Sequence, residues 1–205
     1  MRIVGGQWRG RGLATPAGHG SAATIRPTSD RLRETIFNML AHGNLADGHG
    51  DAIEGARVLD LFAGTGAMGL EALSRGASHA LFIDDGAEAR ALLRANVEAL
   101  GCAGRCRIFR SDATKLGKAP AGGKFTLAFL DPPYGKGLAS RALKGLCDGG
   151  WLAAGALCVI EEAKDAELAL PAGFELTERR VQGDTQVAFL NVAHASRSGH
   201  DFGPG

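Results

Sequence analysis

Residues 60–69 read DLFAGTGAMG, and they join a predicted strand to a predicted helix. The apolar run before them, RVLDLF (57–62), favours a strand, and AMGLEALSRG (67–76) favours a helix. Gly64 and Gly66 allow a sharp turn and a close approach of backbone to a ligand. Asp84 ends the next apolar run, HALFID. A strand, a glycine loop, a helix and then an acid are typical of nucleotide-type sites, where the acid binds ribose hydroxyls.

The same alternation continues along the chain from residue 56. Near-continuous apolar strands separated by helices indicate a parallel sheet that is covered on both faces. Two further strands without a helix between them predict a terminal antiparallel hairpin. The predicted strands are 57–62, 79–84, 105–109, 124–131, 155–163, 174–181 and 185–192, and the predicted helices are 67–76, 87–101 and 137–148.

A different kind of sequence precedes this α/β block. Residues 2–16 predict a glycine-rich hairpin, and residues 18–24 a mobile loop. Residues 28–42 predict a helix with Thr28 as its N-cap. Its buried stripe is expected to consist of Leu32, Ile36, Phe37 and Leu40. We therefore expect an extension over 1–45, an α/β domain over 46–194 and a disordered tail over 195–205, since SRSGHDFGPG has no apolar pattern.

Composition excludes several classes of protein. The 205 residues are 45% hydrophobic and 22% charged, with a net charge of +1, so no global field indicates a partner. No apolar run approaches the ~18–20 residues of a membrane span, and we expect a cytoplasmic protein. The four cysteines lack zinc spacing and are expected to be reduced structural thiols, with no metal bound. Arginines crowd the first 33 residues against one acid, Asp30, which favours a polyanion partner; they are Arg2, Arg9, Arg11, Arg26, Arg31 and Arg33.

The ligand of the glycine loop is expected to carry positive charge. Asp60 at the loop entry would repel a pyrophosphate and would attract an ammonium or a sulfonium. S-adenosylmethionine carries both, beside a ribose and an adenine. Asp112, after the third strand, is placed to reach the adenine amino group, although alone it would more often be a helix N-cap.

The segment FLDPPYGKG (129–137) ends the fourth predicted strand. Parallel strands place their carboxyl ends at one edge of a sheet, so this stiff turn is expected beside the glycine loop. The Asp131 carboxylate and the Pro132 carbonyl can accept both hydrogens of an exocyclic base amine and favour its nucleophilic geometry. Pro133 keeps the turn stiff, and Tyr134 can stack on the base.

Over nearly its whole length the chain resembles the RsmD family of bacterial 16S rRNA guanine-N2 methyltransferases. The likeness rests on RIVGGQWRGR, RPTSDRLRETIFNML, DLFAGTGAMGLEALSRGA, FLDPPYGKG and QGDTQVAFL. It implies a Rossmann-like class I fold, S-adenosylmethionine as cofactor, and a monomer that acts on 16S rRNA within an assembling small subunit. The resemblance implies catalytic roles for Asp131, Pro132, Pro133 and Tyr134, cofactor contacts from Asp60, Phe62, Ala63, Gly64, Thr65, Gly66, Asp84 and Asp112, and RNA contacts from Arg2, Arg9, Arg11, Arg26 and Arg31. Asp84 stands where the family usually has glutamate.

Other classes of protein share some of these motifs. DNA adenine-N6 methyltransferases carry the same turn but usually have a separate recognition domain. Protein glutamine-N5 methyltransferases generally begin the turn with asparagine, whereas this chain has Asp131. A non-catalytic RNA-binding assembly factor would be expected to have lost the glycine loop or the DPPY turn, and both are present.

Overall fold

A single mixed sheet organises the molecule. The computed structural model describes residues 1–16, 29–43, 45 and 50–193. Within these ranges no helix is both long and apolar enough to cross a membrane. The strands are β1 (Arg57–Leu61), β2 (His79–Ile83), β3 (Cys106–Phe109), β4 (Phe125–Leu130), β5 (Leu152–Ala163), β6 (Phe174–Gln182) and β7 (Thr185–Val192), and the helices are α1 (Asp30–His42), α2 (Ala67–Ser74), α3 (Ala87–Ala99) and α4 (Leu138–Gly149).

The strand order is β3-β2-β1-β4-β5-β7-β6. Strands β1 to β5 pair in parallel, and β7 runs antiparallel to both β5 and β6. This confirms the predicted α/β architecture, a mostly parallel seven-stranded sheet with a carboxyl-terminal antiparallel hairpin. Strands β2 and β3 are added on one side of β1, whereas β4 and β5 are added on the other. The boundary between β1 and β4 is therefore a topological switch point, and ligands bind at such points in open α/β folds.

Strand β5 begins at Leu152 rather than at the predicted Gly155. Leu152 pairs with Phe125, and the register then shifts before Leu127 pairs with Leu157. Gly155 lies inside the strand at φ 71°, a left-handed conformation that suits glycine. A glycine within an alanine-rich segment resembles a turn in sequence, and here it marks an irregularity within a longer strand.

Helix α1 begins at Asp30, one residue later than predicted, because its N-cap is Ser29 and not the predicted Thr28. The Ser29 hydroxyl accepts a hydrogen bond from the Leu32 amide at 3.1 Å. The predicted apolar stripe is buried as expected, and Arg33 is buried on the same face with no exposed surface. The predicted loop at 18–24 and the predicted tail lie outside the described residues.

The amino-terminal segment turns back on itself but forms only one β-bridge, between Arg2 and Gly12. Several of its polar groups bond to α2 instead of completing a ladder. The Val4 amide donates to Glu71 at 2.8 Å, and the Trp8 amide donates to the Ser74 hydroxyl at 3.0 Å. The predicted hairpin is therefore short and irregular, and it is docked on a helix. Its two arms are joined by backbone hydrogen bonds, from the Ile3 amide to the Arg11 carbonyl at 2.9 Å and from the Leu13 amide to the Met1 carbonyl at 3.1 Å.

Glu71 is the buried anchor of this docking. Its carboxylate lies 2.7 Å from Nε of Arg75 and 3.6 Å from Nε of Arg33. Apolar packing supports the same contact, since Ile3 and Phe37 belong to one buried cluster with the sheet residue Val58. The described residues among the first 45 thus share a core with the sheet.

We expect Glu71→Ala to lower the free energy of unfolding by about 3 kcal/mol, because Arg33 would lose one of its partners inside the protein. Chemical denaturation measures this loss. The matched control is Asp148→Ala, which removes an exposed carboxylate 2.7 Å from Lys144. That control should leave the transition in place, and an equal shift in both variants would contradict an anchoring role for Glu71.

Candidate active site

The carboxyl ends of four parallel strands bring the candidate residues to one edge of the sheet. Leu61 of β1 pairs with Ile83 of β2 and with Leu130 of β4, and Leu130 pairs with Ile160 of β5. Residues that directly follow this row must therefore lie along the same edge. They are Phe62, Asp84, Asp131 and Glu161.

The loop after β1 needs left-handed backbone at three places. Gly64 has φ 56° and Gly66 has φ 79°. A Cβ atom on Gly66 would lie 2.2 Å from Cδ1 of Leu93, so any side chain there would collide with α3. Phe62 has φ 57° although it is not glycine. A bulky residue in this region is strained, and such strain tends to occur at functional sites.

Asp84 supports the loop that it was predicted to accompany. One carboxylate oxygen accepts from the Gly64 amide at 2.8 Å, and the other accepts from the Gly86 amide at 2.7 Å. A carboxylate offers about four acceptor positions, so both oxygens retain capacity for ribose hydroxyls. Asp84 is shorter than the glutamate that the family usually has at this position, and it lies close enough to the glycine loop to accept a hydrogen bond from its backbone.

Asp60 lies beneath the loop and is 3% exposed. Its carboxylate accepts from the Gly69 amide, at the start of α2, at 2.9 Å. Burial raises the pKa of Asp60 to about 8; the Gly69 hydrogen bond opposes this rise, and the nearby Asp84 charge adds to it. Sequence reasoning predicted a charged contact with the ligand, whereas the structure places this carboxyl where a negative charge is disfavoured.

Asp112 forms a turn with the residues that follow it. Its Oδ1 accepts from the Thr114 amide at 2.9 Å and from the Thr114 hydroxyl at 2.7 Å, and Lys115 lies 3.3 Å from Oδ2. The hydrogen bonds from Thr114, assisted by Lys115, hold the pKa of Asp112 below its ordinary value. Within the described range 50–193 no helix follows Asp112 before β4, so this is a local Asx turn and not the helix N-cap that was predicted as the alternative to an adenine contact.

Asp112 also lines a cleft beside the glycine loop. Its walls combine carboxylate acceptors with apolar side chains, which suits the hydroxyls of a ribose and the faces of an adenine. Asp85, adjacent to Asp84, adds a further acid there. The lining residues are Phe62, Ile83, Asp84, Asp85, Ser111, Asp112 and Ala113.

Asn96 contacts the glycine loop, and the hydrophobic periodicity of the sequence did not predict this role. It lies on the buried face of α3 and is 1% exposed. Its amide donates to the Thr65 carbonyl at 2.9 Å and to the Ala14 carbonyl at 3.2 Å, and its oxygen accepts from the Ala14 amide at 2.6 Å. One side chain therefore joins the glycine loop to the amino-terminal segment. The available signal was a polar residue on an otherwise apolar helix face.

The turn after β4 is fastened to β5 and β7. Pro132 is buried, and Asp131, Pro133 and Tyr134 are half-buried. The Tyr134 hydroxyl donates to Glu161 at 2.8 Å and lies 3.1 Å from the Thr185 hydroxyl. The Gly135 amide donates to Glu162 at 3.1 Å. The sequence shows Glu161 and Glu162 at the end of an apolar strand, which was a usable signal for acids at this edge.

The arginines near the amino terminus differ in exposure. Arg9, Arg11 and Arg31 are exposed, as is Arg2, which lies 3.6 Å from Asp30. Arg33 is buried, so its place in the predicted basic arm was wrong: its charge pairs inside the protein. Arg26 lies outside the described residues.

A doubly wound sheet with a glycine loop, acids and a DPPY turn at one edge defines the class, a Rossmann-like class I methyltransferase. The model of the family described as "Conserved hypothetical protein 95" matches residues 1–191. The chain belongs to this family, the RsmD family.

Individual relatives agree with this assignment. The chain is 41% identical over 191 residues to "Ribosomal RNA small subunit methyltransferase D" of Escherichia coli strain K12, covering 92% of this chain and 87% of the relative. It is 34% identical over 185 residues to the protein of that name from Haemophilus influenzae, covering 89% of each. The solved Escherichia coli chain yhhF, provisionally described as a methyltransferase, superposes with a TM-score of 0.77 at 36% identity, covering 94% of this chain and 98% of that one.

The buried Asp60 makes stability depend on pH. A carboxyl whose pKa is raised in the folded state stabilises the fold when protonated, fully below the unfolded value of 3.8. That contribution declines as the pH rises and is lost as the pH passes about 8. Asp60→Asn keeps an acceptor for the Gly69 amide without the titration. We expect the variant to gain stability relative to the parent between pH 5 and 8.5, on the order of a few kcal/mol.

Urea denaturation of both proteins at half-unit pH steps measures this difference. Asp51→Asn, which removes a loop carboxylate that bonds the Ile53 amide, is the matched control and should show no such trend. Parallel pH profiles for Asp60→Asn and the parent would mean that Asp60 is charged in the folded protein.

Proposed function

We propose that this protein transfers a methyl group to the exocyclic N2 amine of a guanine in 16S rRNA. The observation that carries the proposal is the shared edge at which the DPPY turn and the glycine loop meet, fixed by the pairing of Leu61 with Leu130. Membership of the RsmD family supports an rRNA substrate, since relatives are named small-subunit rRNA methyltransferases. The choice of the guanine N2 amine as the target atom goes beyond what the names of these relatives state.

The methyl donor that suits the cleft is S-adenosylmethionine, which supplies an electrophilic methyl group when bound. Asp84 would hold the ribose hydroxyls with its remaining acceptor positions, and Asp112 or Ser111, which line the same cleft, would face the adenine. The backbone of Phe62, Ala63, Gly64, Thr65 and Gly66 would border the donor. Asp60 acts from below, by fixing the first turn of α2 through Gly69.

Asp131 and the Pro132 carbonyl would act on the target amine. An aromatic amine is a weak nucleophile because its lone pair is delocalised into the ring. Two acceptors fixed by a stiff turn can bind both of its hydrogens, favour a pyramidal nitrogen, and stabilise the positive charge that develops there. Pro133 keeps the turn rigid.

Exposed arginines would hold the RNA. Arg2, Arg9, Arg11 and Arg31 present guanidinium groups from the amino-terminal segment and α1, and Arg26 belongs to the same proposed set. Phosphate contacts position an RNA without reading its sequence. We propose residues 1–45 as the RNA-binding extension, 46–194 as the methyltransferase domain, 195–205 as a tail outside catalysis, and the assembling small subunit as the partner of a monomer.

The decisive experiment transfers tritium from labelled S-adenosylmethionine to small-subunit particles, followed by digestion and nucleoside analysis. We expect the label in N2-methylguanosine. Asp131→Ala should lower turnover by about 10²–10³ with little change in donor affinity, because the lost acceptor acts where charge develops.

Glu175→Ala, an exposed substitution on β6, is the activity control. Label in methyladenosine or in protein glutamine would keep the mechanism and replace the substrate. Donor binding with no transfer to any particle would favour an RNA-binding assembly factor. Parental turnover by Asp131→Ala would show that the DPPY turn is structural.

Replacing Arg9 and Arg11 with alanine should weaken RNA binding, and the slope of log affinity against log salt should fall by about one unit for each lost phosphate contact. Both side chains are exposed, so the melting temperature should stay near that of the parent. Filter binding at several salt concentrations and thermal denaturation measure the two effects. A lower melting temperature with intact RNA affinity would assign these arginines to the fold.

A further inference from the structure

We propose that Glu161 is a positioning residue for the methylation site: it fixes the ring of Tyr134 in the orientation that receives the target base. This inference rests on the proposed function, in which a base lies beside the DPPY turn. Glu161 would act through Tyr134 and would not touch the base itself.

Two strands supply partners for the Tyr134 hydroxyl. Glu161 lies in β5, and its Oε1 accepts from the phenol at 2.8 Å. Thr185 begins β7, and its hydroxyl lies 3.1 Å from the same oxygen. Both partners are buried, at 9% and 6% exposure, and their strands pair directly, with Thr185 opposite Ala163. The hydroxyl is thus bound to a rigid part of the sheet.

This attachment supplies what the prolines cannot. Pro132 and Pro133 restrict the backbone, but the direction of the tyrosine ring depends on two side-chain torsions. Hydrogen bonds to the hydroxyl fix the position of the ring axis, which the first torsion sets. The hydroxyl oxygen lies on that axis, so these bonds favour one ring plane only because a phenolic O–H prefers to lie in the plane of its ring. Glu162, the neighbour of Glu161, accepts from the Gly135 amide at 3.1 Å and restrains the backbone just beyond the ring.

Burial and nearby carboxylates keep the Tyr134 phenol protonated, so that it can donate a hydrogen bond. Burial raises the pKa of Tyr134 above its ordinary value, and the carboxylates of Glu161 and Asp131 raise it further, while the Thr185 hydrogen bond opposes the rise. The groups that face this site are Asp131 from the turn, Glu161 and Glu162 from β5, and Thr185 from β7. A neutral phenol can donate to Glu161 throughout the physiological pH range, so this hydrogen bond does not depend on pH within that range.

Tyr134 is the one tyrosine of the 205-residue chain, so its titration can be followed directly. Incorporation of 3-fluorotyrosine places a single fluorine probe at this site. Fluorination makes the phenol more acidic and so lowers the pH at which it titrates. We expect the ¹⁹F midpoint to lie above that of free 3-fluorotyrosine and to fall in Glu161→Gln.

Glu162→Gln is the matched control, because it removes a neighbouring charge that meets backbone rather than phenol. It should shift the midpoint less than Glu161→Gln. Equal shifts in the two variants, or an unchanged midpoint in Glu161→Gln, would overturn the proposal, since the phenol would not be bound to Glu161 in solution.

A double-mutant cycle tests the consequence for turnover. We expect Glu161→Ala and Tyr134→Phe each to lower kcat/KM for small-subunit particles by about tenfold, and the double variant to be no worse than about tenfold, because both remove the same contact. Glu161→Gln keeps an acceptor and should recover most of the loss. Donor affinity, measured by calorimetry, should match the parent in every variant and thereby verify folding.

Losses that multiply to about a hundredfold would show that Glu161 acts through a different contact, and parental turnover by Glu161→Ala would remove its role altogether. A parent protein that methylates no RNA would refute the proposed function. The fluorine titration would still decide whether Glu161 binds the ring, so the two failures can be distinguished.

Discussion

The parallel pairing of β1 with β2 on one side and with β4 on the other is the constraint on which the rest of the site depends. Its register sets Leu61 level with both Ile83 and Leu130, and the next residue of each strand must then emerge at the same edge. A shift of one residue would turn the side chains of a whole strand to the opposite face. The buried apolar side chains of these strands fix the register and so fix the distance between the glycine loop and the DPPY turn.

Polar side chains inside the protein then attach the less regular parts to this frame. Glu71 and Ser74 bind the amino-terminal segment to α2, and Asn96 binds it to the glycine loop. Each has partners on other elements, which offset the cost of removing polar groups from water. The proposed RNA-binding segment and the proposed donor site are consequently parts of one packed unit.

The sequence predicted what depends on local pattern and strand order. Asp84, Asp131 and Phe62 could be assigned to one edge because apolar runs and glycine positions identify strands and turns. The surroundings of Asp60 could not be predicted from its residue type, which suggests a charge that burial in the folded chain disfavours. Three further roles could not be predicted because they depend on partners that only the folded chain brings near. The partners lie 38 positions away for Arg33, 31 for Asn96 and 27 for Glu161.

The bond between Asn96 and Ala14 spans 82 positions of the chain, and the bond between Val4 and Glu71 spans 67. During synthesis the arginine-bearing segment emerges before α2 and α3, so its docking surface does not exist until these helices have been translated. Contacts of such long sequence separation form late, after loop-closure entropy has been overcome. The arginine-bearing segment can therefore take up its place in the fold only after the chain has been translated beyond α3.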